Sequence, residues 1–248
     1  MQNLDDPEVD VPERPEDLLP AVGLAPDFES NLWSQAEFTA GSLARGRKRD
    51  LESGTTGPEV VKIVYWGPGR SGKTTNLKWL HSRLRPELRG RLIDLEGEGD
   101  RTLYFDCLPI DLDASGRNRR ALRVYTVPGQ PRFRLTRRLV LDGVDGIVFV
   151  WDVRARRLNA NLASLIEMRE TLAELGLAWV EIPRIVQYNK FDLPDRIPTE
   201  ELDHVLDRMG ERSLRLSSVA TKGIGILETL GAITSAVLSQ ARPRRRRM

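Results

Sequence analysis

Gly67-Pro68-Gly69-Arg70-Ser71-Gly72-Lys73-Thr74-Thr75 follows directly on the apolar run Val60-Val61-Lys62-Ile63-Val64-Tyr65-Trp66. A strand that ends in G-x-x-x-x-G-K-[ST] and opens into a helix is a phosphate cradle. Its glycines let backbone N–H groups turn toward an anion, and the helix N-terminus adds the positive end of its dipole. Gly67, Gly69, Arg70, Ser71, Gly72 and Thr75 are therefore expected around a bound nucleotide. Lys73 would reach the β- and γ-phosphates, where the chemistry takes place, and the Thr74 hydroxyl would sit on Mg²⁺. A glycine-rich turn alone would mean little; the strand before it and the helix after it make it specific.

This cradle by itself leaves ATPase, kinase and GTPase open. Asn189-Lys190-Phe191-Asp192, an N-K-x-D at the end of a later strand, narrows the choice. The Asp192 carboxylate can accept both the N1–H and the exocyclic amine of guanine. Adenine lacks that donor pair and would leave a buried acceptor unsatisfied, at a cost on the order of 1–3 kcal/mol. Asn189 would brace the loop, and the Lys190 stem would cover one face of the base. A further base-contacting loop is expected after the last strand, at Ser217-Ser218-Val219-Ala220, with Ser218 and Val219 as the contacting residues. It matches the usual S-A-K only in part.

Thr126-Val127-Pro128-Gly129-Gln130 stands where small GTPases place D-x-x-G-Q. In that pattern the glycine N–H senses the γ-phosphate and the glutamine orients the attacking water, which assigns those roles to Gly129 and Gln130. Thr126 replaces the expected Asp, which normally helps to hold the Mg²⁺ water shell. If the two strands near 102–112 and 120–127 form a hairpin turning about residue 116, Asp106 lies across from Thr126 on the same face and can substitute for it. A slip of one residue would break that alignment.

The remaining chain alternates strand and helix from Val60 onward, the mark of a parallel or mixed sheet covered on both faces. A helix from about 73 to 84 presents Leu77, Leu80 and Leu84 and stops before Pro86. An irregular stretch separates it from the hairpin, whose turn is Asp113-Ala114-Ser115-Gly116-Arg117-Asn118. Gly146 to Trp151 is a continuous apolar strand, followed by a helix marked by Leu162, Leu165, Ile166, Leu172 and Leu175 and ending at Gly176. Strands near 184–189 and 213–217 enclose a weaker helix from about 199 to 209. Ile224, Leu227, Leu230, Ile233 and Val237 define the last amphipathic helix. The expected fold class is α/β: a P-loop small G domain over 58–240, with a mixed six-stranded sheet, one strand antiparallel, and five helices on its two faces.

Composition adds limits and an asymmetry. The 248 residues are 40% hydrophobic and 30% charged, suited to a globular protein with a sizeable core. No run approaches 18 apolar residues, and the acidic N-terminus has no secretory signal pattern. Cys107 is the one cysteine, which excludes an intramolecular disulfide and a cysteine zinc cluster and fits a reducing cytoplasm. Residues 1–57 read as an acidic, proline-rich arm: residues 1–30 hold nine acids and one base. Within it, Phe28, Leu32, Trp33 and Phe38 could form a short docking helix capped by Ser30. Residues 241–248 form an arginine-rich tail, Arg242-Pro243-Arg244-Arg245-Arg246-Arg247-Met248, that would seek an anionic surface.

GPGRSGKTTNL, GDRTLYFDCLPI, YTVPGQPRF, GVDGIVFVWD and QYNKFDLP together resemble the MglA-type bacterial small GTPases, regulators of cell polarity and motility. The T-x-P-G-Q form, with Thr in place of Asp, is itself a mark of that family. The resemblance covers about residues 58–240 and leaves out the acidic arm and the arginine-rich tail. It implies GTP or GDP with Mg²⁺, and an Arg–Thr pair matching Arg101-Thr102. Thr102 would close on Mg²⁺ and the γ-phosphate; Arg101 would be an arginine finger supplied in cis, worth about 10³–10⁵ in rate. It also implies a homodimeric roadblock-fold activating protein that organises the cis residues, and a cytoplasmic protein that gathers at a membrane or cell pole. Two other readings remain at this point: a GTP-locked scaffold with negligible turnover, and a GTPase associated with nucleic acid through its tail. The globular part shows no basic patch interleaved with aromatics, so no specific nucleic acid is expected.

Overall fold

The computed structural model describes residues 59–95, 105–111, 120–129 and 133–240. The acidic arm with its docking helix, the hairpin turn, Arg101, Thr102, Gln130 and the arginine-rich tail lie outside the described residues. Among the described residues seven strands occur in chain order: β1 Glu59–Trp66, β2 Ile93–Leu95, β3 Phe105–Asp111, β4 Arg120–Thr126, β5 Gly146–Asp152, β6 Arg184–Asn189 and β7 Leu214–Ser218. They form one sheet in the order β2-β3-β4-β1-β5-β6-β7. β3 pairs antiparallel with both β2 and β4, while β1, β4, β5, β6 and β7 run parallel. β3 is therefore the one strand that opposes the others.

β2 extends the six expected strands by one. Three residues, Ile93-Asp94-Leu95, are too few to show an alternating pattern, and they are held as an edge by β3. β3 pairs Cys107 with Tyr125 and Leu108 with Val124, so each pair sums to 232, the register that sets Asp106 across from Thr126.

Five helices among the described residues cover the sheet: α1 Lys73–Arg83, α2 Arg134–Leu141, α3 Leu158–Glu174, α4 Thr199–Arg208 and α5 Ile226–Gln240. α2 follows the Pro128-Gly129 segment, in a stretch for which the sequence pattern marked no helix. Its apolar side chains are split: Leu135 and Leu139 face solvent, while Val140 and Leu141 are buried. The buried face also takes in Arg137, which masks the usual apolar stripe.

Alternation along the strands divides the core. Val64, Trp66, Phe149, Trp151, Val186 and Tyr188 point to the face covered by α2, α3 and α4. Val61, Ile63, Tyr65, Val148, Val150 and Ile185 point to the face covered by α1 and α5. On that second face Gln187 is polar and buried; its Nε2 donates to Asn76 Oδ1 at 3.0 Å on α1 and to Thr229 Oγ1 at 3.1 Å on α5. Cys107 is buried in the first cluster, and its thiol is pushed up to about 11, chiefly by burial. The chain moves from β4 across β1 to β5, so strand order reverses at the centre. In open α/β sheets that reversal leaves a crevice at the carboxyl ends of the strands.

Candidate nucleotide site

The segment from Gly67 to Gly72 joins β1 to α1 over that crevice. Every one of its six carbonyls has a donor, which fixes its peptide planes. Lys73 Nζ donates to Gly67 O and Pro68 O, both at 2.8 Å. Arg157 Nη2 donates to Gly69 O at 2.6 Å, Lys190 Nζ to Arg70 O at 2.7 Å, and Asn189 Nδ2 to Ser71 O at 2.7 Å. Gly72 O accepts from Asn76 N at 3.0 Å and Asn76 Nδ2 at 2.9 Å. Carbonyls tied outward turn the N–H groups of the same peptides the other way, which is the arrangement an anion needs. The first turn of α1 has no acidic residue and no side-chain cap, so its N–H groups are also free for an anion.

Gly67 at φ 146° and Gly72 at φ 108° take backbone conformations that a side chain would strain. Arg70 at φ 63° and Lys190 at φ 69° are the two non-glycine residues with positive φ among the described residues, and they are bonded to each other. Strained backbone gathered at one crevice is typical of a functional site.

A cleft of about 650 Å³ opens here, bounded by the cradle, the ends of β3 and β4, and the loops after β6 and β7. Gly69, Arg70, Gly72, Lys73, Thr74, Thr75, Gly129, Asn189, Lys190, Asp192 and Val219 all line it, together with Asp106 and Thr126. Gly67, Ser71 and Ser218 do not. Ser71 and Ser218 are buried behind the lining, and Ser218 Oγ stands 3.2 Å from Asn189 Oδ1. Ala220 and Thr221, which the sequence pattern did not single out as contacting residues, also line the cleft beside Val219. Ala220 N donates to Asn189 Oδ1 at 3.0 Å, so Asn189 joins the loop after β7 to the cradle. Asp192 Oδ2 pairs with Lys222 Nζ at 3.1 Å.

Lys73 is almost wholly buried, and its ammonium is pushed down to about 7. Burial is the main cause, and the positive charge of Arg137 adds to it, against a smaller opposing pull from Asp106. A polyphosphate in the cleft would supply the negative charge this cation lacks.

On the far wall, Thr126 Oγ1 donates to Asp106 Oδ2 at 2.9 Å and accepts from Asp106 N at 3.0 Å. The register that sums to 232 thus sets the two residues side by side. Asp106 is the carboxylate that reaches the cleft from this wall, and Thr74 brings a hydroxyl from α1. One carboxylate and one hydroxyl beside a phosphate cradle suit Mg²⁺, which keeps several waters and takes its other ligands from phosphate.

Behind the cradle sits a group that sequence reasoning missed. Asp152, at the end of β5, is fully buried. Its carboxylate accepts from Lys190 Nζ at 2.5 Å and from Arg154 Nε and Nη2 at 2.9 and 2.6 Å, with Arg157 Nε 3.7 Å away. Burial acts to raise its pKa, but the bonds from Arg154 and Lys190 outweigh it and hold the carboxyl below the usual carboxylate range. Asp152 thereby anchors the two cations that cap Gly69 and Arg70. The signal was present as Asp152-Val153-Arg154-Ala155-Arg156-Arg157 immediately after an apolar strand, at the edge where α/β sites form.

The chain is 42% identical over 179 residues to the mutual gliding-motility protein MglA of Myxococcus xanthus (strain DK1622), spanning 72% of this chain and 91% of that protein. The chain belongs to the MglA family of small GTPases. No family model matches it. The carbonyl-capped cradle and the N-K-x-D loop of this small GTPase line one cleft. Gly129 lies so close to the cradle that a Cβ there would collide with Gly69 N and Cα. A second cleft, of about 690 Å³, lies on the other side of Pro68-Gly69, between Pro128-Gly129, Arg137 and Arg157. Arg137 closes its floor through Glu167 and donates to Pro128 O at 3.1 Å.

Proposed function

We propose that this protein is a GTP-hydrolysing molecular switch that acts in cell polarity or motility; its Myxococcus relative is named for gliding motility. The observation that carries the reading is the direct bonding of Asn189 and Lys190 to Ser71 O and Arg70 O. It makes the guanine loop and the phosphate cradle one rigid unit around a single cleft. Asp192 would accept from the guanine edge once released from Lys222. Lys73 would leave the Gly67 and Pro68 carbonyls for the β- and γ-phosphates.

Mg²⁺, held by Thr74, Thr102 and Asp106 with the phosphates, would neutralise charge on the transferring phosphoryl group. Asp106 is kept in place for this by the Thr126 hydroxyl. Gln130 would orient the attacking water, and Arg101, from the same chain, would stabilise the charge that develops on the equatorial oxygens. GTP would order the segments around 95–102 and 128–138, and hydrolysis would release them. A roadblock-fold dimer would bring Arg101 and Gln130 to bear. The protein would act in the cytoplasm and reach a membrane or pole through its partners and its tail.

Single-turnover GTP hydrolysis, with and without a roadblock-type partner, tests this. Arg101→Ala and Gln130→Leu should each keep GTP affinity within a few fold and lower the stimulated rate by ~10²-fold or more, about 2.7 kcal/mol. The double variant should be far from additive, because both residues serve one transition state. A stimulated rate unchanged in Arg101→Ala would remove the cis finger from the mechanism. No turnover under any condition would favour a GTP-locked scaffold.

A further inference from the structure

α1 carries more than the end of the cradle. Lys73 and Thr74 stand in its first turn, and Trp79 follows about 9 Å further along the axis. Leu77 and Leu80 are buried in the core, while Trp79 is half-buried and Lys78 beside it lines the nucleotide cleft. The indole of Trp79 meets the loop after β7. A Cβ on Gly223 would fall 2.1, 2.2 and 2.3 Å from its Cε2, Cζ2 and Nε1, so the Gly223 backbone rests directly on the ring. Gly223 is also in the left-handed region, at φ 83°, and glycine alone meets both demands without strain. Arg83, one turn further on α1, stands over the same indole, 5.8 Å from the ring centroid.

The loop that rests there is closed on itself. Val219 and Ile224 form an antiparallel bridge, and Val219 O accepts from Lys222 N at 2.9 Å and from Gly223 N at 3.0 Å. A shift of Gly223 is therefore passed straight to Val219. At the other end Ala220 N donates to Asn189 Oδ1 at 3.0 Å, so the loop is held between Asn189 and Trp79. Val219 and Ala220 line the cleft, and neither side chain has a polar atom, so only their main chain can hydrogen-bond a base. What this part of the loop recognises thus depends on where its backbone stands.

We propose that Trp79 is a positioning residue for base recognition: by carrying Gly223 it sets the place of the loop after β7, and with it the choice between a carbonyl and an amine at C6 of the purine. Asp192 would address N1 and the exocyclic amine at C2, which leaves the C6 group to be read from elsewhere. That group is an acceptor oxygen in guanine and a donor amine in adenine. A main-chain N–H held against it accepts the first and rejects the second, because two donors then face each other. Without the indole, Gly223 loses its support, and the N–H groups of the loop are no longer held at bonding distance. The inference rests on the reading that the N-K-x-D end of the cleft holds the base, and it is independent of hydrolysis.

The test is competition against a fluorescent GDP analogue bound to the full chain, with three unlabelled diphosphates. GDP is the reference, IDP lacks the amine at C2, and the 2,6-diaminopurine analogue keeps that amine but carries a second one at C6. The last also lacks the N1 hydrogen, a penalty at Asp192 that is common to wild type and variants. Wild type should prefer GDP over both. Trp79→Ala should lower the preference over the diaminopurine analogue by ~5–10-fold, the worth of about one hydrogen bond, and keep the GDP to IDP ratio within about two-fold. Gly223→Ala, with the indole intact, should show the same selective loss, because its Cβ has no room. Trp79→Phe keeps an aromatic on α1, guards against loss of the fold, and should fall between. Unchanged ratios in Trp79→Ala, or an equal weakening of all three ligands, would overturn the positioning role. A wild type that prefers GDP over neither analogue would instead overturn the base reading itself, and the inference with it.

Discussion

Asp152→Asn removes the charge that holds three cations behind the phosphate cradle, and its consequences can be worked through. Breaking one side of a buried ion pair costs about 3–5 kcal/mol when the remaining charge has no other partner. Here the cations keep some access to water, since the side chains of Arg154, Arg157 and Lys190 are 17%, 28% and 23% exposed. Asn also keeps one acceptor, so about 2–3 kcal/mol is the reasonable loss. For a domain of this size that lowers Tm by about 4–12 °C. The functional part is distinct. Without the carboxylate, Lys190 and Arg157 repel each other and loosen their hold on Arg70 O and Gly69 O. If about half of the loss falls on the bound state, guanine nucleotide should dissociate ~10-fold faster, since 1.4 kcal/mol is a factor of ten. Displacement of a fluorescent GDP analogue measures it. The wild-type carboxyl titrates below its ordinary value, so its stabilisation is complete above about pH 4 and is lost only as pH falls further. The wild-type off-rate should carry no contribution from Asp152 titration between pH 5 and 8. A lowered Tm with an unchanged off-rate would show that Asp152 supports the sheet end and not the nucleotide.

Asp192→Asn should shift preference from GTP toward XTP, because an amide N–H₂ opposes guanine's donors but matches the xanthine carbonyl; competition binding reads it, and equal GTP affinity in both proteins would unseat Asp192. Asp106→Asn should raise the Mg²⁺ concentration needed to retain nucleotide by ~10-fold or more, measured as off-rate against Mg²⁺, with an unchanged midpoint counting against Asp106 as the substitute for the missing Asp. Gly129→Ala should cost about 1–3 kcal/mol, because its Cβ overlaps cradle backbone that no rotamer change can clear. An unaltered melting temperature would mean that the Pro128-Gly129 segment leaves the cradle without cost.

What the sequence made legible was whatever a short string and a period could encode. The cradle and the N-K-x-D loop lie where a strand ends, so their residues are contiguous, and the cleft gathers most of them. β6 was readable because Ile185, Val186 and Tyr188, broken only by Gln187, are bounded by Pro183 and the N-K-x-D loop. Asp106 could be aligned with Thr126 because hairpin register follows from the turn centre alone. The register around residue 116 then makes the two into a bonded pair.

The parts that stayed hidden share a different cause: their partners are far away in sequence. Arg137 is buried on α2 because Glu167, thirty residues on, meets its guanidinium, so a helix that looks too polar still packs. Arg157 donates across 88 residues to Gly69 O, and Lys190 across 120 to Arg70 O, and no local pattern announces either. Yet these contacts make the cradle what it is. A loop whose carbonyls were left to water could turn its N–H groups in any direction; one whose successive carbonyls at Gly69, Arg70 and Ser71 are each tied to the end of β6 or the residue before α3 cannot. The motif supplies glycines that permit the conformation, and the distant donors select it. A matching string without an Asp152-like anchor would therefore be a weaker predictor of tight nucleotide binding than the string with one.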